Sequence, residues 1–83
     1  MKDISVFKVG RPKNDDSQDI IFEEMMKILD KDDMDSLMDD EDENGLDLIY
    51  ITINDEKRKK LVNLFESYDI LVHHEHFKLK QKP

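Results

Sequence analysis

The stretch Leu46-Asp47-Leu48-Ile49-Tyr50-Ile51-Thr52-Ile53 constrains the fold more than any other part of the chain. Its β-branched and aromatic content marks a strand, and successive side chains of a strand point to opposite faces. Ile49, Ile51 and Ile53 therefore share one face, Leu46, Leu48 and Tyr50 share the other, and both faces are apolar. Such a strand belongs in the middle of a sheet or under a cover on each side. A chain of 83 residues builds one small core, because a domain of this size buries only about 60% or slightly more of its unfolded surface. Residues 1–83 are read as a single domain with an acidic loop or short-helix segment at 30–47.

The elements around that strand follow from apolar spacing and local breakers. Residues 4–9 form a short strand ended by Gly10-Arg11-Pro12, where proline fixes its own φ and biases its predecessor away from helix. Asp15, Asp16 and Ser17 are alternative helix caps. Ile21, Phe22, Met25, Ile28 and Leu29 then recur at helical spacing. A continuation would carry Asp32 and Asp33 onto the apolar face, where unpaired carboxylates are costly, so the helix ends near residues 30–31. Met34, Leu37 and Met38 suggest one more short helical turn. Asn44-Gly45 marks a turn ahead of the central strand. Asn54 caps a second main helix with Asp55 and Glu56 in its first turn and Leu61, Leu64, Phe65 and Tyr68 on one face. Glu56 and Lys60 pair one turn apart on its wet side. Asp69 turns the chain into a last strand at 70–79.

The fold class expected is α+β: a small ferredoxin-like sandwich, or a truncated βαβαβ unit, with a three-stranded sheet and two main helices on one face. The ferredoxin-like order βαββαβ fits if the acidic segment replaces the second strand. In that case the first strand inserts between residues 46–53 and the last strand. The rival is a small parallel βαβαβ sheet. Two helices on one face leave the other face uncovered, so a homodimer is expected, with Leu48 and Tyr50 at its interface.

Charge is concentrated in one place. Residues 30–47 hold ten acids against the single base Lys31, a local charge of −9, while the remaining residues sum to +1 within a net charge of −8. A nearly neutral body thus carries an acidic lobe, and a pI near 4.7 sets its field against phosphate, so no direct nucleic-acid binding is expected. Asp39, Asp40, Glu41, Asp42, Glu43 and Asp47 are the residues expected to meet a basic protein surface, such as that of a nucleic-acid-binding protein. The absence of cysteine excludes disulfides and thiolate metal sites and suits a reducing cytoplasm. No apolar run has membrane-spanning length, and the charged N-terminal residues lack a signal-peptide core.

Two short patterns point to metals. Asp40, Asp42 and Asn44 occupy the first, third and fifth ligand positions of an EF-hand loop, and Gly45 its sharp turn. Ile51 then stands where the bidentate glutamate belongs, and a strand follows in place of a helix. His73-His74-Glu75-His76 contains every histidine of the chain. On a strand His74 and His76 share a face and form half a site for zinc, nickel or copper. A divalent-metal switch or sensor built on either pattern is the alternative to the interaction protein. No nucleophile in a recognisable setting and no glycine-rich phosphate loop is present, so no catalytic residue, no enzyme and no cofactor are expected.

Two resemblances are local. Gly10-Arg11-Pro12 is similar to the core of minor-groove AT-hook peptides over three residues, without the flanking proline and arginine. Residues 49–77, reading IYITINDEKRKKLVNLFESYDILVHHEHF, resemble the strand–helix–strand of the small CRISPR adaptation endonuclease family. Thr52 stands where that family has its aspartate, so the likeness implies a βαβ geometry and not the nuclease activity.

Overall fold

The structure, a computed structural model, describes residues 3–10 and 15–78, the turn at 15–18 as backbone only. Its elements are β1 (Asp3–Val9), α1 (Asp15–Ile28), α2 (Lys31–Asp35), β2 (Met38–Glu41), β3 (Asp47–Ile53), α3 (Asp55–Ser67) and β4 (Leu71–Phe77). The chain is α+β, with a four-stranded open sheet in the order β2-β3-β1-β4 and three helices. Every neighbouring pair is antiparallel, which removes the parallel βαβαβ alternative. The expected three strands become four because residues 38–41 of the acidic segment pair with β3, Met38 opposite Tyr50 and Glu41 opposite Asp47. Met38 is thereby a strand residue and not part of a helical turn.

β1 is the strand that both halves of the chain share. It pairs with β3 along its whole length and with β4 from Ile4 to Val9, a bulge between Lys8 and Val9 accommodating Val72. Asp3, Ser5, Phe7 and Val9 are buried while Ile4, Val6 and Lys8 are half-buried, the alternation of a strand covered on one face only. On the covered side Phe7, Val9, Ile51 and Ile53 meet Ile21, Met25 and Leu29 of the first helical segment and Leu61 and Phe65 of α3. Phe7 and Phe65 meet edge to face at 5.4 Å. The expected apolar face of α1 holds at Ile21, Met25 and Ile28, but Phe22 is 53% exposed. No helix among the described residues is long and apolar enough to cross a membrane.

Local signals set the element ends. The Asn54 side chain accepts from the Lys57 N–H at 2.8 Å and caps α3 as its position suggests. Asp69 takes a left-handed φ of 56° and reverses the chain after α3, while Tyr68 closes that helix half in solvent. Gly45 has φ 81°, which only a residue without Cβ adopts freely. Arg11, Pro12 and Lys13, and with them the AT-hook-like fragment, lie outside the described residues, as does Leu79 of the expected last strand. α1 begins at Asp15, so its capping position falls just before the three expected caps and outside the described residues.

The break between the first two helices is where sequence reasoning misjudged Asp33. The chain does leave the helix at Leu29–Asp30, but Asp33 is fully buried. Asp30 caps α2 by accepting from the Asp33 N–H at 2.9 Å, and Asp33 returns the bond by accepting from the Asp30 N–H at 3.2 Å. This reciprocal box is closed by Lys57 of α3, whose ammonium meets both Asp33 and Asp30. A buried carboxylate is tolerated when it is paired and hydrogen-bonded.

Lys57→Met is expected to cost about 3 kcal/mol, because it strips the cation from a wholly buried carboxylate. Asp33→Ala should cost somewhat less, about 2 kcal/mol, since it removes the return bond of the capping box but leaves the Asp30 cap and its pair with Lys57. Asp32→Ala, on the exposed side, should change stability by no more than about 0.5 kcal/mol. Urea unfolding of the three variants checks the order.

Candidate functional site

The acidic segment divides into residues that build it and residues it displays. Asp30 and Asp33 are engaged with Lys57. Asp42 turns the chain between β2 and β3: its Oδ1 accepts from the Asn44 and Leu46 N–H groups, each at 2.9 Å, and its Oδ2 lies 3.1 Å from Lys8. Its side chain is only 12% exposed. The Leu46 N–H, with Lys8 and the Asn44 N–H, holds the Asp42 carboxyl below the ordinary value of 3.8. Asp42 is therefore a turn-forming residue and leaves the set of six expected to face a partner. Asp39, Asp40, Glu41 and Glu43 are exposed and Asp47 is half-buried.

β2 presents these groups in a particular order. Met38 and Asp40 stand opposite Tyr50 and Leu48, on the open face of the sheet, while Asp39 and Glu41 stand opposite Ile49 and Asp47, on the helix side. On the helix side lies a cavity of about 210 Å³ whose apolar lining includes Val9, Phe22, Met25 and Ile49, with Asp39 and Asp47 on its rim. Among the described residues the far edge of β2 pairs with no strand. Acids on such an edge discourage uncontrolled pairing with other chains.

The EF-hand-like fragment does not assemble as a calcium loop. Asp42 has committed its carboxylate to the turn, and Asp40 Oδ1 accepts from the Glu41 N–H at 2.8 Å. The histidine pattern is split by the pleat as expected, His74 and His76 on the helix side and His73 and Glu75 on the other. His74 stacks on Phe7 at 5.9 Å between ring centres. His73 Nε2 lies 3.1 Å from Glu75. His76 Nε2 lies 3.0 Å from Asp3 Oδ2 and 3.8 Å from Asp55 Oδ1. Asp3 and Asp55 carried no signal in the sequence, since only the pairing register brings positions 3 and 76 together.

Leu48 and Tyr50 lie on the open face with Ile4 and Val6, all half-buried, flanked by the exposed Met38 and Phe77. A second cavity, of about 380 Å³, opens there between Ile4, Met38, Tyr50 and Thr52. Compared with known proteins, the chain matches no family, no curated protein and no solved structure.

The depressed Asp42 pKa fixes the sign of a pH effect. A carboxyl that titrates lower when folded stabilises the fold at pH above its unfolded value and loses that contribution as pH falls through its folded value. Asp42→Ala should melt lower than the parent at neutral pH, and the gap should begin to narrow only as pH falls below about 4, closing below the lowered folded value. Millimolar calcium should leave the melting temperature of the parent unchanged, because the turn has no free Asp42 oxygens to offer. Scanning calorimetry across pH, with and without calcium, reads both.

Proposed function

We propose that this chain is a non-enzymatic interaction protein whose acidic edge docks an extended, basic segment of another protein, of the kind nucleic-acid-binding proteins carry. The order of strands, with β1 between β3 and β4 and the acidic strand outermost, supports reading the fold as a ferredoxin-like sandwich with one short extra helix. The observation that carries the reading is the placement of Asp39 and Asp47 at the mouth of an apolar cavity beside a strand edge that pairs with nothing among the described residues. A segment added along β2 gains backbone pairing from the edge. A lysine or arginine on that segment lays its aliphatic stem in the cavity and brings its charge to the two carboxylates. The surrounding negative field raises the rate of encounter.

The test uses a synthetic peptide alternating lysine and valine, with a glutamate–valine peptide as control. The parent should bind the first and not the second, with affinity falling as salt rises. Replacing Asp39, Asp40, Glu41 and Asp47 together by Asn or Gln should weaken binding about tenfold or more, mainly through the association rate. Phe22→Ala should weaken it through dissociation with the salt dependence kept. Binding at low salt that survives the fourfold substitution would sink the proposal.

The open face of the sheet is assigned to a second copy. A two-fold axis along the strands lays β2 of one protomer over β4 of the other, so that Asp40 comes level with His73 and the acidic edges stay apart. The alternative axis, across the strands, stacks acid on acid. Leu48→Lys places a charge in the middle of this face, and light scattering should then show a monomer where the parent is a dimer. A parent that scatters as a monomer at high concentration rules out the assembly.

A further inference from the structure

The end of the sheet remote from the acidic turn gathers a different set of groups. Asp3 opens β1, Asp55 opens α3 directly after the Asn54 cap, and His76 lies near the end of β4. The register sets Asp3 against Ile53 and Ser5 against His76, so the three side chains converge from positions far apart in the chain. One imidazole nitrogen and two carboxylate oxygens lie within 4.8 Å of one another. We propose that Asp3, Asp55 and His76 form a binding site for a divalent transition-metal ion of the zinc type.

Geometry, rigidity and donor chemistry support the assignment together. An ion with bonds of about 2.0–2.2 Å separates its neighbouring ligand atoms by roughly 3.0–3.6 Å, and His76 Nε2 already lies 3.0 Å from Asp3 and 3.8 Å from Asp55. Asp3 and His76 are held by adjacent paired strands, with side chains 13% and 23% exposed. Asp55 is mostly exposed and leaves one side of the site open to solvent. The mixed nitrogen and oxygen set favours zinc, cobalt or nickel over calcium, which takes oxygens alone. Ser5 adds a second observation: its hydroxyl is wholly buried, takes part in no hydrogen bond among the described residues, and shares the face of its cross-strand partner His76. It is therefore open to a ligand's water or to the second imidazole nitrogen, the type of outer contact that orients metal-binding histidines.

Arg58 is the competitor. Its guanidinium donates to Asp55 Oδ1 at 2.9 and 3.3 Å, the same oxygen that faces His76. An incoming ion must displace it or share that carboxylate. The arrangement makes a distinguishing prediction, since removing Arg58 leaves all three ligands in place and releases Asp55 Oδ1 from the guanidinium.

The probes are zinc and cobalt ions added to the full chain. Zinc should raise the melting temperature, and cobalt should develop the visible absorption of a low-coordinate nitrogen–oxygen site. Arg58→Ala should bind cobalt more tightly than the parent, severalfold in a direct titration. His76→Ala should abolish the absorption, and His73→Ala, on the opposite face, should leave it intact. Circular dichroism of each variant establishes that it is folded. No thermal shift and no absorption in both the parent and Arg58→Ala would overturn the site, as would cobalt binding that a folded His76→Ala variant retains.

Discussion

The arrangement of the acidic half of the chain hangs on Asp33 and its lysine. Asp33 is fully buried, and its carboxylate meets Lys57 of α3 while closing the capping box of α2. The Lys57 ammonium is held above its ordinary pKa by Asp33 first and Asp30 second, so it stays charged throughout the neutral range. Ser36, directly after α2, extends this anchor to the sheet. Its hydroxyl donates to the Asp33 carbonyl at 2.6 Å and accepts from the Thr52 N–H at 3.1 Å. Thr52 lies just beyond the reach of β2, so a serine side chain continues the ladder where the strand itself does not. The chain leaves this point aimed along β3, and the edge strand follows.

The same charge type therefore does two opposite things within one short segment. Asp30, Asp33 and Asp42 are consumed by backbone N–H groups and by lysines from other elements, which neutralises the part of the lobe nearest the core. The outer acids remain on a strand edge and on its turn. A segment of like charges without the inner pairs would repel itself into an extended loop. With them, it forms a strand whose acids are presented at strand spacing to whatever approaches the edge.

The two ends of the sheet are chemically distinct as a result. The end near the β2–β3 turn joins an apolar cavity to carboxylates, suited to a cationic amphiphilic side chain. The other end joins carboxylates to an imidazole over buried strand backbone, suited to an ion. β1 runs between them, with Val9 lining the first and Asp3 forming part of the second. The central strand thus reaches both ends while contributing Phe7, wholly enclosed, to the core.

Periodicity and capping chemistry in the sequence determined the elements. The two-faced strand at 47–53, the Asn54 cap, the faces of both long helices and the turns at Gly45 and Asp69 were legible because each rests on residues close together in the chain. So was the insertion of β1 beside β3, since a right-handed crossover through the second main helix leaves room for it there. What only the tertiary structure decided was the fate of individual charges. Asp32 and Asp33 are neighbours with the same side chain, yet one faces solvent and the other is buried, because Lys57 stands 24 positions away beside only one of them. The acidic segment became a strand because β3 had an open edge to pair with, which no local propensity of Asp39-Asp40-Glu41 announces. Asp3 and His76 met through register, which is set by the packing of whole strands and not by any residue within the group, and the start of α3 brought Asp55 to them.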